Sequence, residues 1–146
     1  MAYSVAKVEM WIGRIEDQVG GLAHRLEPLA AAGANLEFLI ARRVRHEPGH
    51  GVVFLGPLRG ARQQQAARSA GLHKASDLVA LRVEGPNKPG ATARLTRLLA
   101  DNDINLRGVS ATVLGSKYIA FLAFDDALTA GKAARLLRSA GGKAKR

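Results

Sequence analysis

A chain of 146 residues, 47% of them hydrophobic and 23% charged, has the composition of a globular protein rather than a disordered one. It holds no cysteine, which excludes disulfides, thiol nucleophiles and cysteine-based zinc sites together. Its net charge of +10 is uneven: residues 1–75 carry ten basic and six acidic side chains, residues 76–131 carry six of each, and the last fifteen hold Lys132, Arg135, Arg138, Lys143, Lys145 and Arg146 with no acid. A basic final helix and tail suits the negative end of a helix dipole, and on this pattern nucleic acid is an unlikely partner. No signal-peptide pattern precedes the first strand, and no apolar run approaches the roughly 18 residues of a membrane span. A cytoplasmic protein without a membrane partner is expected.

Taken in order, Val5 to Ile12 is a mixed β-branched and apolar run that predicts a strand, within an unusually long stretch from Tyr3 to Arg14. Leu22, Leu26 and Leu29 recur at helical spacing, with Gly33 as the stop signal and Pro28 expected to kink or shorten the helix. Leu36–Val44 and Val52–Leu55 predict a hairpin about the turn Glu47–His50, and Ala61–Ala70 a second helix closed by Gly71. Leu78–Val83, Ala91–Asn102, Leu106–Leu114, Tyr118–Phe124 and Ala127–Ser139 then repeat the same strand, helix, strand, strand, helix order.

The repetition extends to single residues. Gly20, Asn35 and Leu36 correspond to Gly90, Asn105 and Leu106 at one constant offset, which shortens after the hairpin turn so that Phe54-Leu55 meets Phe121-Leu122. A register change placed in a turn is where internal repeats tolerate it, so the chain is read as a duplication. The expected fold class is α+β: two tandem ferredoxin-like (βαββαβ) modules with antiparallel sheets and helices on one face, at residues 1–74 and 75–146. Each module wants a fourth strand. Leu72–Ser76 offers one to the first copy; for the second, the long N-terminal strand or a partner chain must supply it. Modules of about 70 residues are marginal alone, which favours a shared core or a homodimer.

Several motifs look chemical and are weaker than they look. His46-Glu47-Pro48-Gly49-His50 has the letters of a zinc-protease motif, but Pro48 and Gly49 forbid the helix that would aim both imidazoles at one metal. Gly85 to Gly90 has the glycine spacing of a P-loop but continues Ala91-Thr92, without the phosphate-gripping lysine. His24 and His73 are isolated, and Asp125-Asp126 suit the start of the last helix. No metal, no cofactor and no catalytic residue is expected, and so no enzyme.

What remains is the stretch from Gly85 to Leu106. A Gly/Pro/Asn turn hands over at Pro89-Gly90 to an amphipathic helix, whose first N–H groups lack internal partners. Asn87 precedes that helix and Asn105 follows it, where a returning strand would let two amides frame one small pocket. With this loop and its Ile104-Asn105-Leu106 exit, the chain resembles the ACT domain family, small regulatory modules that bind amino acids. The match is closer in the second copy, roughly Leu78 to Arg138, and looser in the first, where Val19 stands for the family's usual proline and Asp17 for Asn87. Two such copies resemble the tandem ACT proteins of bacteria.

The resemblance implies an allosteric, non-catalytic role with a small amino acid as ligand. Asn87 and Asn105 would hold it, commonly across a dimer interface, with loop backbone near Gly90 and Ala91 binding its carboxylate and Lys88, Pro89 and Leu106 alongside. Some serine sites in the family use a His where this chain has Gly85. The equivalents in the first copy are Asp17, Val19, Gly20, Gly21 and Asn35, and a carboxylate at Asp17 should make the two sites differ. The alternative is a regulatory subunit that docks on a partner enzyme through its basic last helix (Lys132, Arg135, Arg138), with no small ligand.

Overall fold

The computed structural model describes residues 3–143. The N-terminal apolar run does not form one strand. It breaks at Glu9 and Met10 into β1 (Ser4–Val8) and β2 (Trp11–Glu16), and the two enter different sheets. After β2 come α1 (Gly21–Ala31), β3 (Phe38–Arg43), β4 (His50–Gly56), α2 (Gly60–Ser69) and β5 (His73–Lys74). The second copy follows as β6 (Val79–Pro86), α3 (Ala91–Ala100), β7 (Gly108–Leu114), β8 (Lys117–Phe124) and α4 (Ala127–Lys143). The sheets have strand orders β3-β4-β2-β5 and β1-β6-β8-β7, with every pair antiparallel. The fold is therefore α+β, two ferredoxin-like modules with two helices each.

The division of the chain differs from residues 1–74 and 75–146 at the N-terminus. One compact unit is Glu9–Ala75; the other joins the residues through Val8 to those from Ser76 onward. Of the two expected sources for the missing strand, the N-terminal run supplies it. β1 pairs with β6 from Ser4↔Glu84 to Val8↔Ala80, as β5 pairs with β2 at Trp11↔Lys74 and Ile12↔His73 in the other module. Among the described residues nothing after β8 competes for this edge, because α4 continues as helix to Lys143. Lys145 and Arg146, part of the basic tail, lie outside the described residues.

Each module has its own core. In the N-terminal module Trp11, Leu29, Val53, Leu55, Leu58, Ala67 and Leu72 are buried together. The alternation of β2 and β4 puts Trp11, Gly13 and Ile15 opposite Leu55, Val53 and Gly51 on one face of the sheet. The guanidinium of Arg68 and the ammonium of Lys74 lie 5.7 and 5.9 Å from the Trp11 ring centroid, within cation–π range. In the C-terminal module Leu95, Leu99, Leu122, Phe124 and Leu137 reach zero exposure. Tyr3 and Val5 pack against that cluster, and Arg138 donates to the Val5 carbonyl at 2.9 Å, which ties α4 to β1.

The duplication is visible in backbone conformation. Gly20 and Gly90 cap the first helix of each module with φ of 84° and 82°, a left-handed conformation that glycine adopts without steric cost. The same helices stop at Gly33 (φ 84°) and at Asp103 (φ 58°), where an aspartate tolerates the position. Ala34 and Ile104 then donate to Leu29 and Leu99, each at 3.0 Å. Pro28 sits inside α1 without shortening it relative to its copy: α1 has 11 residues and α3 has 10. None of the described helices is long and apolar enough to cross a membrane.

The last helix is capped by the acid expected to start it. The Thr129 N–H donates to Asp126 Oδ1 at 2.7 Å. Hydrogen bonds from the Thr129 backbone and side chain, and from the Leu128 backbone, hold the Asp126 carboxyl below its ordinary pKa. A depressed folded-state pKa means that this contribution is complete above the unfolded carboxylate value and is lost as pH falls through the folded one. Asp126→Asn, which keeps a capping oxygen, is therefore expected to flatten the acid limb of a melting-temperature–pH profile while changing the neutral-pH value less than Asp126→Ala.

Candidate functional site

The two strand–helix loops are built alike. The Asp17 N–H donates to Gly49 O at 3.0 Å and the Asn87 N–H to Ser116 O at 2.8 Å, so each loop is pinned to the hairpin turn of its own module. Gly21 and Ala91 then donate to Gln18 and Lys88 at 3.0 and 3.1 Å, closing the turn onto the helix. Asn87, Lys88, Pro89 and Gly90 are exposed, Ala91 is half-buried, and the Val19 side chain is fully exposed.

The expected meeting of two amides in one pocket does not occur. β7 starts at Gly108, opposite Ala123, and β6 passes Ala123 at Ala80. Asn87 follows Pro86, which lies opposite Lys117 at the other end of the same ladder. Asn105, just before β7, therefore sits at the opposite end of the sheet from Asn87, with the ten residues of α3, about 15 Å, running between those ends. Asn35 stands to Asp17 in the same way: β3 starts at Phe38 opposite Gly56, whereas Glu16 lies opposite His50. A helix that follows a strand returns the chain to that strand's start. The sequence expectation brought it back beside the loop instead. Leu106 is half-buried and packs against the C-terminal core.

What the N-terminal loop does border is an open pocket of about 250 Å³. It is lined by Ile15, Leu22, Ala41 and Gly51 and by Glu16, Asp17, Gln18, Arg42 and Arg43. The alternation of β2 and β3 puts Arg43 on the face of Ile15, Ala41 and Gly51, and the Glu16 and Arg42 side chains on the other. Arg43 Nε donates to Asp17 Oδ2 at 2.8 Å, with the arginine side chain 81% exposed. Sequence reasoning reached Asp17 but missed Arg42 and Arg43. They lie on β3, and only the β3–β4–β2 register brings that strand's end beside the loop.

The C-terminal loop is surrounded differently. The Tyr118 hydroxyl lies 2.9 Å from Thr92 Oγ1, with Tyr118 4% exposed. The Tyr3 ring packs on Gly85, where an added Cβ would lie 3.2 Å from it. Burial raises the Tyr3 pKa, partly offset by the Arg94 guanidinium, with a smaller rise from Tyr118. Arg94 Nη1 donates to Pro89 O at 2.9 Å across the turn. The His46–His50 segment is the β3–β4 turn, and no group of three or more metal-capable side chains occurs among the described residues. On α4, Lys132 donates to Asn102 O at 3.0 Å and Arg138 to Val5 O, so two cations of the proposed basic face also bond to backbone of their own module.

The model of the family described as "ACT domain" matches residues 79–142. By sequence, no curated protein matches the chain. Among solved structures, a protein from Bacteroides thetaiotaomicron superposes with a TM-score of 0.78 at 14% identity, covering 94% of this chain and 90% of that one. The ligand-free regulatory subunit of aspartate kinase from Thermus thermophilus superposes with a TM-score of 0.65 at 18% identity, covering 94% and 97%. The corresponding Thermus flavus subunit gives 0.62 at 17% identity, covering 97% of both chains. At these identities the likeness is one of fold.

Proposed function

From a chain that carries an ACT domain at residues 79–142, we infer a non-catalytic regulatory protein that binds a small amino acid at a strand–helix loop. The observation that carries this reading is the Asp17–Arg43 ion pair on the rim of a 250 Å³ pocket. A free amino acid is a zwitterion, and a cleft rimmed by guanidinium and carboxylate groups can meet both of its ends. The volume lies below the roughly 300–1,000 Å³ of drug-sized sites, in keeping with a small ligand. Any site that used both Asn87 and Asn105 would need a second copy of the chain, because one copy holds them at opposite ends of a sheet. β7 supports a homodimer: it is an uncharged edge strand with Val109, Val113 and Leu114 exposed. Ligand binding would then act by shifting the population of arrangements that meet a target.

A second reading has the protein dock on a partner enzyme without a small ligand. It is supported by the near full-length fold likeness to a subunit whose described role is regulation of aspartate kinase. Calorimetric titration with the twenty L-amino acids, pooled and then singly, separates the two. Saturable heat from one of them is the expected result; no binding by any would remove the ligand reading and leave the docking one.

A further inference from the structure

We propose that the two modules are not equivalent, and that the amino-acid pocket exists only in the N-terminal one because the C-terminal module fills the same space with its own aromatic side chain. This rests on the amino-acid-binding reading and names where its site is. The difference lies in one row of the sheet. In the N-terminal module Gly51 lies between Ile15 on β2 and Arg43 on β3. In the C-terminal module Tyr118 lies between Gly85 on β6 and Val113 on β7. The two rows are the same row of the repeat. Ile15 and Gly85, and likewise Arg43 and Val113, share the offset that relates the helix caps Gly20 and Gly90; Gly51 and Tyr118 share the shorter offset that relates the turn carbonyls of Gly49 and Ser116.

Across the pocket from that row stands the first turn of the helix, with Leu22 in one module and Thr92 in the other. Tyr118 reaches from the row to Thr92 and is buried. The phenol thus spans the same two walls that bound the open cleft in the first module. At position 51 the absence of a side chain keeps the cleft open, and little else could stand there. A Cβ on Gly51 would lie 2.7 Å from the Arg42 carbonyl oxygen and 3.0 Å from Ile15 Cγ1.

The charges divide in the same way. Asp17 and Arg43 become Asn87 and Val113, so the ion pair that would receive a zwitterion has no counterpart at those positions. Arg43 meets Asp17 through Nε, and its guanidinium carries four further N–H donors for a carboxylate. The second Asp17 oxygen suits an ammonium group. The apolar walls of Ile15, Leu22 and Ala41 favour a short aliphatic side chain over a charged one.

The test is a titration of the full-length, isotope-labelled protein with each L-amino acid, followed by amide NMR shifts and by calorimetric stoichiometry. One ligand per chain is expected, with the shifts centred on Gln18, Arg43 and Gly51, and with affinity at least about tenfold weaker in Arg43→Gln. The Arg43 side chain is exposed, so this variant keeps the fold. Leu22→Phe, which fills the cleft from the helix side, should abolish those shifts. Shifts centred on Asn87, Ala91 and Tyr118, or two ligands per chain, would overturn the proposal while leaving amino-acid binding intact. Absence of shifts with every amino acid would overturn the binding reading itself.

Discussion

Deleting the residues through Val8 is expected to unfold the C-terminal module while Glu9–Ala75 stays folded. β1 supplies five residues of ladder to β6 and the carbonyl that receives Arg138. Its loss also strips the partly buried Tyr3 and Val5 from the core. Full burial of a large apolar side chain is worth about 1.5–3 kcal/mol, and a module of this size has little stability to spare. A loss of even about 3 kcal/mol would lower the melting temperature by roughly 12–24 °C. The chain carries its own probe for the contrast, because its one tryptophan, Trp11, is buried in the other module. Tryptophan emission should therefore change little on truncation. Amide exchange protection in β6, β7 and β8 should fall towards that of unfolded chain. Protection retained in those strands would show that the module holds together without its fourth strand.

The second large effect is expected at Gly21. An added Cβ there would sit 2.0 Å from the Glu16 carbonyl oxygen, a clash with backbone that no rotamer can relieve. Gly21→Ala must push the start of α1 away from the end of β2, and so opens the turn that the Gly21 N–H closes onto Gln18. A cost of roughly 2–4 kcal/mol is expected in denaturant unfolding, at the upper range for a single substitution. The duplication supplies the control. Its counterpart Ala91 already carries a Cβ, and Ala91→Gly should cost only about 0.5–1 kcal/mol through chain entropy. Equal effects at the two positions would mean that the two helix starts approach their strands alike.

That pair of positions also shows how far the sequence could be read. Apart from the N-terminal run, which is two strands and not one, the order of strands and helices, the repeat and its change of offset at the hairpin were legible, because each depends on local periodicity and turn chemistry. Gly20 and Gly90 were legible as helix starts for the same reason, and Gly33 as a stop. The corresponding stop at Asp103 was not, since aspartate enters the left-handed region too rarely to signal it. The loops were correctly placed between the first strand and first helix of each copy. Their partners were not. Asn35 and Asn105 were assigned to the loops' side of the sheet, but a helix about 15 Å long carries them to the other end.

Local patterning along the chain was enough to reach the fold class, the duplication and the position of Asp17 and Asn87 at the mouths of the two helices. Three things became visible once the chain was folded: that β1 completes the module whose other strands begin seventy residues later, that Arg43 faces Asp17, and that Tyr118 occupies the row position held by Gly51 in the other module. The physical reason is common to all three. Helix and turn signals act over a few residues, whereas strand partners are chosen by which edge is open and which register buries the apolar face. That choice joins residues far apart in the chain, and no local pattern carries it.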